Sequence, residues 1–262
     1  MKILIKNSEE IKKIHKSCKL AAEVLEMIEN YIKPGISTEE INIICHDYIT
    51  KVQKAIPATL GYKGFPKSVC ISKNDIVCHG ISSKDDILKN GDIINIDVTI
   101  LYNNYYGDTS KMFFVGNKIS LKSKLLCLIA QKSLYKAINI LKPGLRLHKI
   151  GQIIQKYVES KSFSVVKNYC GHGIGKNFHE DPQILHYNSH DYGIILKPGM
   201  IFTIEPMINI GKHNVYLTND KWTVKTQDKT NSAQYEHTIL INKSGSEILT
   251  IRKEEKLILL KK

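Results

Sequence analysis

Four carboxylates and one histidine stand beside short apolar runs of this chain, in a pattern typical of a metal centre. They are Asp97, Asp108, His172, Glu205 and Glu236. Oxygen donors with one imidazole and no thiolate suit divalent ions of intermediate hardness, such as Mn, Fe, Co or Zn. The set does not suit a cysteine-rich structural zinc site. Two ions about 3.5–4 Å apart, with bridging carboxylates, would hold a water or hydroxide between them, which is a hydrolytic arrangement.

Two of these carboxylates flank a predicted hairpin. Asn103 and Asn104 supply turn chemistry between two strand-like runs, and Asp97 and Asp108 lie almost equally far from that turn. A hairpin would bring the two carboxylates roughly opposite each other, close enough to share one cation. The alternative is that Asp108 only ends a strand in a loop beside Gly107, because Gly-Asp is a common turn pair.

Histidines in glycine-flanked segments form a second pattern. His172 and His179 lie in the segment from Gly171 to Pro182, and His79 lies in a shorter echo from Cys78 to Ile81. Glycines let a backbone come close to a ligand. Each segment precedes a strand that ends in a carboxylate, which favours a joint role over three unrelated polar residues.

Two further histidines receive a plainer interpretation. His186 and His190 are four residues apart, but the turn-forming residues around them indicate a loop. The sequence therefore assigns them no part in the centre.

An internal repeat indicates how the chain positions these side chains. The pattern from Cys18 to Tyr48 recurs from Cys127 to Tyr157 at an offset of 109 residues, and in both copies a helix stops at Lys-Pro-Gly before a second helix begins. The run that ends at Asp97 recurs in the run that ends at Glu205 at an offset of 108 residues. Two matches in the same order predict two α+β halves packed as pseudo-twofold partners.

The repeat has consequences for both the boundaries and the site. The halves are expected at about 10–118 and 119–245, within a single domain that spans residues 1–262. With equivalent strands side by side, Asp97 and Glu205 would face one another and repel unless a proton or a cation lies between them. The second helix of the first copy opens with Ser37-x-x-Glu40, the form of a capping box.

Composition sets broader limits. The hydrophobic fraction of 42% and the charged fraction of 24% are those of an ordinary globular protein. No signal-peptide core and no run of 18 apolar residues is present, which predicts no membrane span. The six cysteines form no Cys-x-x-Cys pair. Reduced thiols and a cytoplasmic location are therefore expected.

The net charge of +13 comes almost entirely from lysine, because Arg146 and Arg252 are the only arginines among 38 basic residues. Sequence-specific nucleic-acid readers rely on arginine for bidentate contacts. The lysine excess therefore indicates either loose electrostatic attraction or a compositional bias without functional meaning. No basic-aromatic module or zinc-finger spacing supports a DNA-binding function.

Taken together, these segments resemble the type I methionine aminopeptidases of bacteria over essentially the whole chain. The resemblance rests on the stretches Pro57–Ser72, Val77–Ile81, Asn95–Val98, Gly107–Thr109, Gly171–Pro182, Thr203–Pro206 and Gln234–Thr238. It implies the duplicated "pita-bread" α+β fold, an antiparallel sheet covered by helices. It also implies a monomer that removes the initiator methionine from nascent polypeptides and prefers a small second residue.

The resemblance further implies individual roles. Asp97 would chelate one ion, His172 and Glu205 mainly the other, and Asp108 and Glu236 both. A water or hydroxide that bridges the ions would attack the first peptide bond, with Glu205 as proton shuttle and with His79 and His179 at the substrate. The methionine pocket would be lined by Tyr62, Phe65, Cys70, Phe178 and Trp222, and a thioether favours such aromatic and sulfur neighbours.

The chain departs from the family's pattern at the pocket rim. Thr59, Lys63 and Phe65 stand where a cysteine, a histidine and a tyrosine are expected. The departures bear on substrate preference and leave the metal ligands untouched. An implied further partner is the ribosome, which would be bound weakly through the lysine-rich surface.

Two alternatives use the same fold. A proline-specific aminopeptidase or prolidase usually carries an additional N-terminal domain, and no such domain is expected here because the first repeat begins by Cys18. A fold relative that has lost catalysis would show a replaced ligand. All five positions keep the expected residue types, which favours an enzyme.

Overall fold

Two capped helices open the part of the chain that the computed structural model describes, which is residues 3–189 and 191–255. Helix α1 spans Ser8–Ile28 and helix α2 spans Thr38–Asp47. Before α2, Ser37 Oγ accepts a hydrogen bond from the Glu40 backbone N–H at 3.2 Å, and the Glu40 carboxylate accepts one from the Ser37 N–H at 2.9 Å. The predicted capping box is confirmed, and it pairs N–H groups that the helix itself leaves unpaired.

A second helix pair, α3 (Leu121–Ile138) and α4 (His148–Glu159), follows the same plan. The chain reverses before α4 at Gly144, where φ is +88°, as it does before α2 at Gly35, where φ is +95°. Glycine adopts this left-handed conformation at no steric cost. The two Lys-Pro-Gly signals therefore mark equivalent turns.

Most strands are short, and one long hairpin stands out. In chain order the strands are β1 (Ile56–Pro57), β2 (Cys70–Lys73), β3 (Ile76–Cys78), β4 (Ile93–Tyr102), β5 (Tyr105–Phe114), β6 (Ser164–Val165), β7 (Gly171–Gly173), β8 (Glu180–Ile184), β9 (Ile201–Ile204), β10 (Met207–Asn209), β11 (Val215–Leu217), β12 (Val224–Thr226), β13 (Ser232–Gln234), β14 (His237–Ile241) and β15 (Ser246–Ile248). The pairings between them are antiparallel.

Two sheets carry the predicted site. One has the order β1-β4-β2, with β5 also paired to β4, and the other has the order β15-β14-β9-β7-β8. Residues of α1 and α2 pack with β4 in one hydrophobic core, and residues of α3 and α4 pack with β9 and β14 in another. The predicted α+β class, with antiparallel sheets covered by helices, is confirmed. The division into two equivalent halves stays a prediction.

Threonines join the two sheets at the seam between β5 and β14. Thr109 Oγ1 donates to the Glu236 carbonyl at 2.7 Å, and Thr238 Oγ1 donates to the Asp108 carbonyl at 2.8 Å. The backbones of Asp108 and Glu236 are therefore fixed to each other across the seam.

Helix α1 lies close over β5. A Cβ at Gly107 would lie 2.3 Å from the Cys18 backbone nitrogen, so this position requires glycine. Within the described residues, no helix combines the length and apolar character needed to cross a membrane.

Candidate metal centre and active site

The β4–β5 hairpin positions the first two carboxylates. Its turn is Asn103-Asn104, with φ values of +49° and +64°, a conformation that asparagine tolerates better than most residues. In the resulting register Asp97 pairs with Ser110 and Asp108 pairs with Thr99. The carboxylates are thus diagonal neighbours on one face rather than directly opposite.

The loop interpretation of Asp108 is wrong. Asp108 lies inside β5, it is 4% exposed, and one of its carboxylate oxygens accepts a hydrogen bond from Thr99 Oγ1 at 2.8 Å. Burial of a carboxylate inside a strand requires a compensating partner.

The second sheet presents the other three residues. His172 lies in β7, Glu205 directly follows β9, and Glu236 directly precedes β14. The register pairs Ile204 with His237, which brings the ends that carry Glu205 and Glu236 together. The predicted strand-end positions of Glu205 and Glu236 are confirmed. The prediction that a strand ends at Asp97 is wrong, because β4 continues through Asp97 to the hairpin turn.

The glycines beside His172 serve sheet packing. A Cβ at Gly171 would lie 2.4 Å from the Thr203 carbonyl oxygen, and a Cβ at Gly173 would lie 2.2 Å from the Asp181 carbonyl oxygen. Close strand contact therefore explains these two glycines, where the sequence suggested the approach of a ligand.

The five residues line one pocket, and three of them form a compact group. Ligand atoms of Asp108, His172 and Glu236 lie within 4.8 Å of one another, and all three residues are buried. His172 Nε2 lies 3.6 Å from an Asp108 carboxylate oxygen and 3.8 Å from a Glu205 carboxylate oxygen. Asp97 and Glu205 line the same pocket as these three residues.

The electrostatics of the cluster call for a cation. Burial, reinforced by the charges of Asp108 and Glu205, raises the pKa values of Asp97 and Glu236 well above the usual range. Burial likewise raises the pKa of Glu205 to about 7, although the His172 ring opposes the shift. Buried carboxylates this close together repel one another unless protons or cations intervene.

The hydrogen-bond pattern agrees with that requirement. Asp97 Oδ1 is buried and has no hydrogen-bond partner among the described residues. Burial opposes protonation of His172, but the Asp108 and Glu205 carboxylates raise its pKa above the usual value. An orphaned carboxylate oxygen beside three further carboxylates fits a divalent cation, and the donor set fits the ions expected from the sequence.

Polar residues that the sequence did not single out hold Glu205 in place. Thr203 Oγ1 donates to one carboxylate oxygen at 2.8 Å, and Gln234 Nε2 donates to the other at 3.2 Å. Thr203 Oγ1 also accepts the His172 backbone N–H at 3.0 Å, so one hydroxyl links two of the five residues. The sequence does contain a signal for Thr203. It lies two residues before Glu205 on a predicted strand, and side chains two residues apart on a strand lie on the same face.

His186 is the second residue that the sequence passed over. It lies in a loop as predicted, but it is 1% exposed, and its Nε2 accepts the Glu205 backbone N–H at 3.1 Å. Burial lowers the pKa of this ring to about 3, so the ring is a neutral acceptor. His190 lies outside the described residues.

An aromatic cleft adjoins the cluster. The pocket that contains the five residues is also lined by all seven side chains expected at the substrate: Tyr62, Phe65, Cys70, His79, Phe178, His179 and Trp222. Ring centroids of Tyr62 and Phe178 are 4.7 Å apart, and those of Phe65 and Trp222 are 5.2 Å apart. Asn168, Tyr169, Cys170 and Met207, which the sequence did not indicate, complete the lining together with Thr59 and Lys63.

The two histidines of the cleft are held as neutral rings. Burial lowers the pKa of His79, and burial together with the nearby His172 and Lys63 lowers the pKa of His179 to about 3. The Tyr62 hydroxyl lies 2.9 Å from His179 Nδ1. When that hydroxyl donates, Nε2 carries the proton and can donate into the pocket.

Comparison with known proteins shows the family of this chain. The sequence model of the family described as "Metallopeptidase family M24" matches residues 12–243. The chain is 63% identical over 257 residues to the methionine aminopeptidase of Buchnera aphidicola subsp. Schizaphis graminum, a match that covers 98% of this chain and 97% of the relative. The crystal structure of methionine aminopeptidase from Rickettsia prowazekii superimposes with a TM-score of 0.93 at 48% identity, covering 95% of this chain and 100% of that one.

Prolidases share the fold at greater distance. Prolidase from Pyrococcus furiosus superimposes with a TM-score of 0.76 at 26% identity, and the match covers 95% of this chain but 66% of that chain. The higher identity to the methionine aminopeptidases, and the coverage of nearly their whole length, favour that resemblance over the prolidase alternative. The chain belongs to metallopeptidase family M24 and, within that family, to the methionine aminopeptidases.

Proposed function

We propose that the protein hydrolyses the first peptide bond of newly made polypeptides that begin with methionine, with a small second residue preferred. The observation that carries the proposal is a single pocket that joins the five-residue cluster to a cleft of aromatic rings and sulfur. A cation-binding cluster supplies the hydrolytic chemistry, and the adjoining cleft matches a thioether side chain.

Two divalent ions per chain, of Co, Mn, Fe or Zn, are the proposed cofactors. Asp97 would hold one, His172 and Glu205 mainly the other, and Asp108 and Glu236 both. The buried, unpartnered oxygen of Asp97 and the raised pKa of Glu236 support this assignment. When bound, such ions supply a nucleophilic water at neutral pH and polarise the scissile carbonyl.

Glu205 is the proposed proton shuttle. Its carboxylate lines the pocket beside the aromatic cleft, where it can take a proton from a water and pass it to the leaving amine. Thr203 and Gln234 donate one hydrogen bond to each carboxylate oxygen and so fix the orientation in which the proton is exchanged.

His79 and His179 are proposed to contact the substrate beside the scissile bond. A neutral His179 that accepts from Tyr62 presents its Nε2 proton to the pocket, where it can stabilise negative charge that develops on the carbonyl oxygen. Phe65, Phe178 and Trp222 would exclude water from the bound methionine side chain.

The test is the release of methionine from a Met-Ala-Ser peptide by protein that has been stripped of metal and then reloaded with Mn, Fe or Co. Release is expected only after reloading, and Glu205→Gln should retain the fold but lose most of the turnover. Metal-loaded protein that releases no methionine while cleaving an Xaa-Pro peptide would reject this function and support a prolidase.

Ribosome association, in the cytoplasm where initiator methionine is removed, is the second part of the proposal. The helix pair within residues 117–161 carries nine lysines and one arginine against one glutamate, whereas the equivalent span 8–52 carries six lysines against eight carboxylates. The ten basic side chains of the second pair are exposed. A net charge of this density favours phosphate-rich RNA.

Co-sedimentation with ribosomes at increasing salt tests this part. Association should weaken as salt rises, and it should be lost in the triple variant Lys124→Glu, Lys132→Glu, Lys136→Glu. The matched control is Lys12→Glu, Lys13→Glu, Lys16→Glu on α1, which should still associate. Unchanged association of the α3 triple variant, or equal loss in both triple variants, would reject α3 as the docking surface.

A further inference from the structure

Arg252 is a buried arginine in a chain whose basic residues are nearly all lysines. The chain has 38 basic residues of which only Arg146 and Arg252 are arginines, and the Arg252 side chain is fully buried at 0% exposure. Burying a cation is costly unless its hydrogen bonds are satisfied. Arginine differs from lysine in having a rigid, planar guanidinium group with several N–H donors. We therefore expect that this position depends on the geometry of the guanidinium group as well as on its charge.

The fork bridges two parts of the structure. Arg252 Nη1 donates to Thr109 Oγ1 at 2.9 Å, and Nη2 donates to Glu255 Oε1 at 2.5 Å. The other Glu255 oxygen accepts the Arg252 backbone N–H at 3.1 Å. Arg252 thereby ties a terminal segment of the described chain to β5.

The same segment also holds β14. Glu255 Oε1 lies 3.3 Å from His237 Nε2, and Thr250 Oγ1 lies 2.9 Å from His237 Nδ1. Thr250 Oγ1 further accepts the Thr238 backbone N–H at 3.1 Å. A neutral His237 with its proton on Nε2 satisfies these contacts together, since Nδ1 then accepts from the Thr250 hydroxyl.

The residues held in this way lie one or two positions from Asp108 and Glu236, the two carboxylates proposed to be shared by both ions. Thr109 directly follows Asp108. Its hydroxyl accepts the hydrogen bond from Arg252 and donates one to the Glu236 carbonyl at 2.7 Å, so it links Arg252 to the backbone of Glu236. Thr238 lies two residues after Glu236, and its hydroxyl donates to the Asp108 carbonyl at 2.8 Å. Thr109 Oγ1 accepts one bond and donates another, so its proton is directed at the Glu236 carbonyl.

We propose that Thr250, Arg252 and Glu255 form a C-terminal clasp that sets the spacing of Asp108 and Glu236 and thereby the affinity of the centre for metal. The clasp residues are positioning residues, because none of them lines the pocket. The inference rests on the proposed function in that Asp108 and Glu236 are taken as the ligands shared by both ions. Replacement of residues that orient metal ligands typically costs about 10–100-fold in metal affinity.

The test measures Mn²⁺ affinity by isothermal titration calorimetry on metal-free protein, alongside the free energy of unfolding. Arg252→Lys keeps the charge but loses the fork, and it should weaken Mn²⁺ binding by about 10-fold or more. The control is Ile41→Ala, a core substitution in α2 that destabilises the fold away from the centre. It should bind Mn²⁺ within about twofold of the unmodified protein, because it leaves the groups that orient the metal ligands in place.

A second variant keeps the test decisive if Arg252→Lys does not fold. Thr109→Ser keeps the hydroxyl that links Arg252 to Glu236 and should bind Mn²⁺ normally, whereas Thr109→Val breaks that link and should lose affinity. Normal Mn²⁺ affinity in Thr109→Val, or an equal loss in Ile41→Ala and Arg252→Lys, would overturn the clasp. Failure of the unmodified protein to bind Mn²⁺ would instead reject the proposed function.

Discussion

Replacing His186 with glutamine should flatten the dependence of stability on pH. His186 is 1% exposed, its Nε2 accepts the Glu205 backbone N–H at 3.1 Å, and burial lowers its pKa to about 3. An unfolded histidine titrates near pH 6.5. Below that value the unfolded chain takes up a proton that the folded chain refuses, so the stabilising contribution is complete above pH 6.5 and is lost as the pH falls.

The size of the effect follows from the shift. Each pH unit between the two pKa values changes the free energy of unfolding by about 1.4 kcal/mol, so His186 should account for a loss of roughly 2.5 kcal/mol between pH 6.5 and pH 4.5. In His186→Gln, the amide oxygen can accept the same Glu205 N–H without titrating. The variant should therefore lose roughly 2.5 kcal/mol less than the unmodified protein over that interval.

Urea denaturation of metal-free protein at several pH values between 4.5 and 7.5 measures this difference. The matched control is His15→Gln, which removes a histidine whose side chain is 51% exposed. The control should follow the curve of the unmodified protein. Parallel curves for His186→Gln and the unmodified protein would contradict the lowered pKa of His186, because they would mean that His186 titrates alike in the folded and unfolded states.

Three further substitutions or reactions test the surroundings of the centre. Thr203→Val removes the hydroxyl that bonds the His172 N–H and a Glu205 oxygen. Chemical denaturation of metal-free protein should show that the free energy of unfolding falls by about 2–4 kcal/mol, against about 1 kcal/mol for Thr203→Ser. Equal losses in the two variants would mean that the hydroxyl does not stabilise the site. Gly107→Ala places a Cβ 2.3 Å from the Cys18 nitrogen and should cost about 1–3 kcal/mol by thermal or urea unfolding, whereas unchanged stability would contradict the close packing of α1 on β5. Native protein should react with a thiol reagent first at Cys170, because the other five cysteines are buried. The reaction should be slow, because burial raises the pKa of the Cys170 thiol to about 11. Peptide mass mapping locates the label, and earlier labelling of a buried cysteine would contradict this prediction.

Much of the centre could be predicted from the sequence because its four carboxylates stand beside strand ends or in a hairpin. A carboxylate that ends an apolar run leaves a local signal, and the repeat places two such runs in equivalent positions. This signal predicts Asp97 and Glu205 as site residues independently of any family resemblance. The pocket then brings all five residues together.

The supporting residues left no comparable signal. His186 acts through a backbone N–H that is distant in sequence, and its loop setting suggested no role. Arg252 could be noticed only as a rare arginine, because its partner Thr109 lies 143 residues away along the chain. The precise register that makes Asp97 and Asp108 diagonal neighbours likewise depends on the turn, which the sequence placed but could not align to the residue.

The most direct test of the account is mass-spectrometric identification of the residue released from peptides Xaa-Ala-Ser that differ only in their first residue. Protein reloaded with Mn²⁺ should release methionine rapidly and leucine, alanine or lysine far more slowly, and metal-free protein should release none of them. Equal release of all four residues, or release that persists without metal, would contradict the claim that the cluster and the aromatic cleft act together on N-terminal methionine.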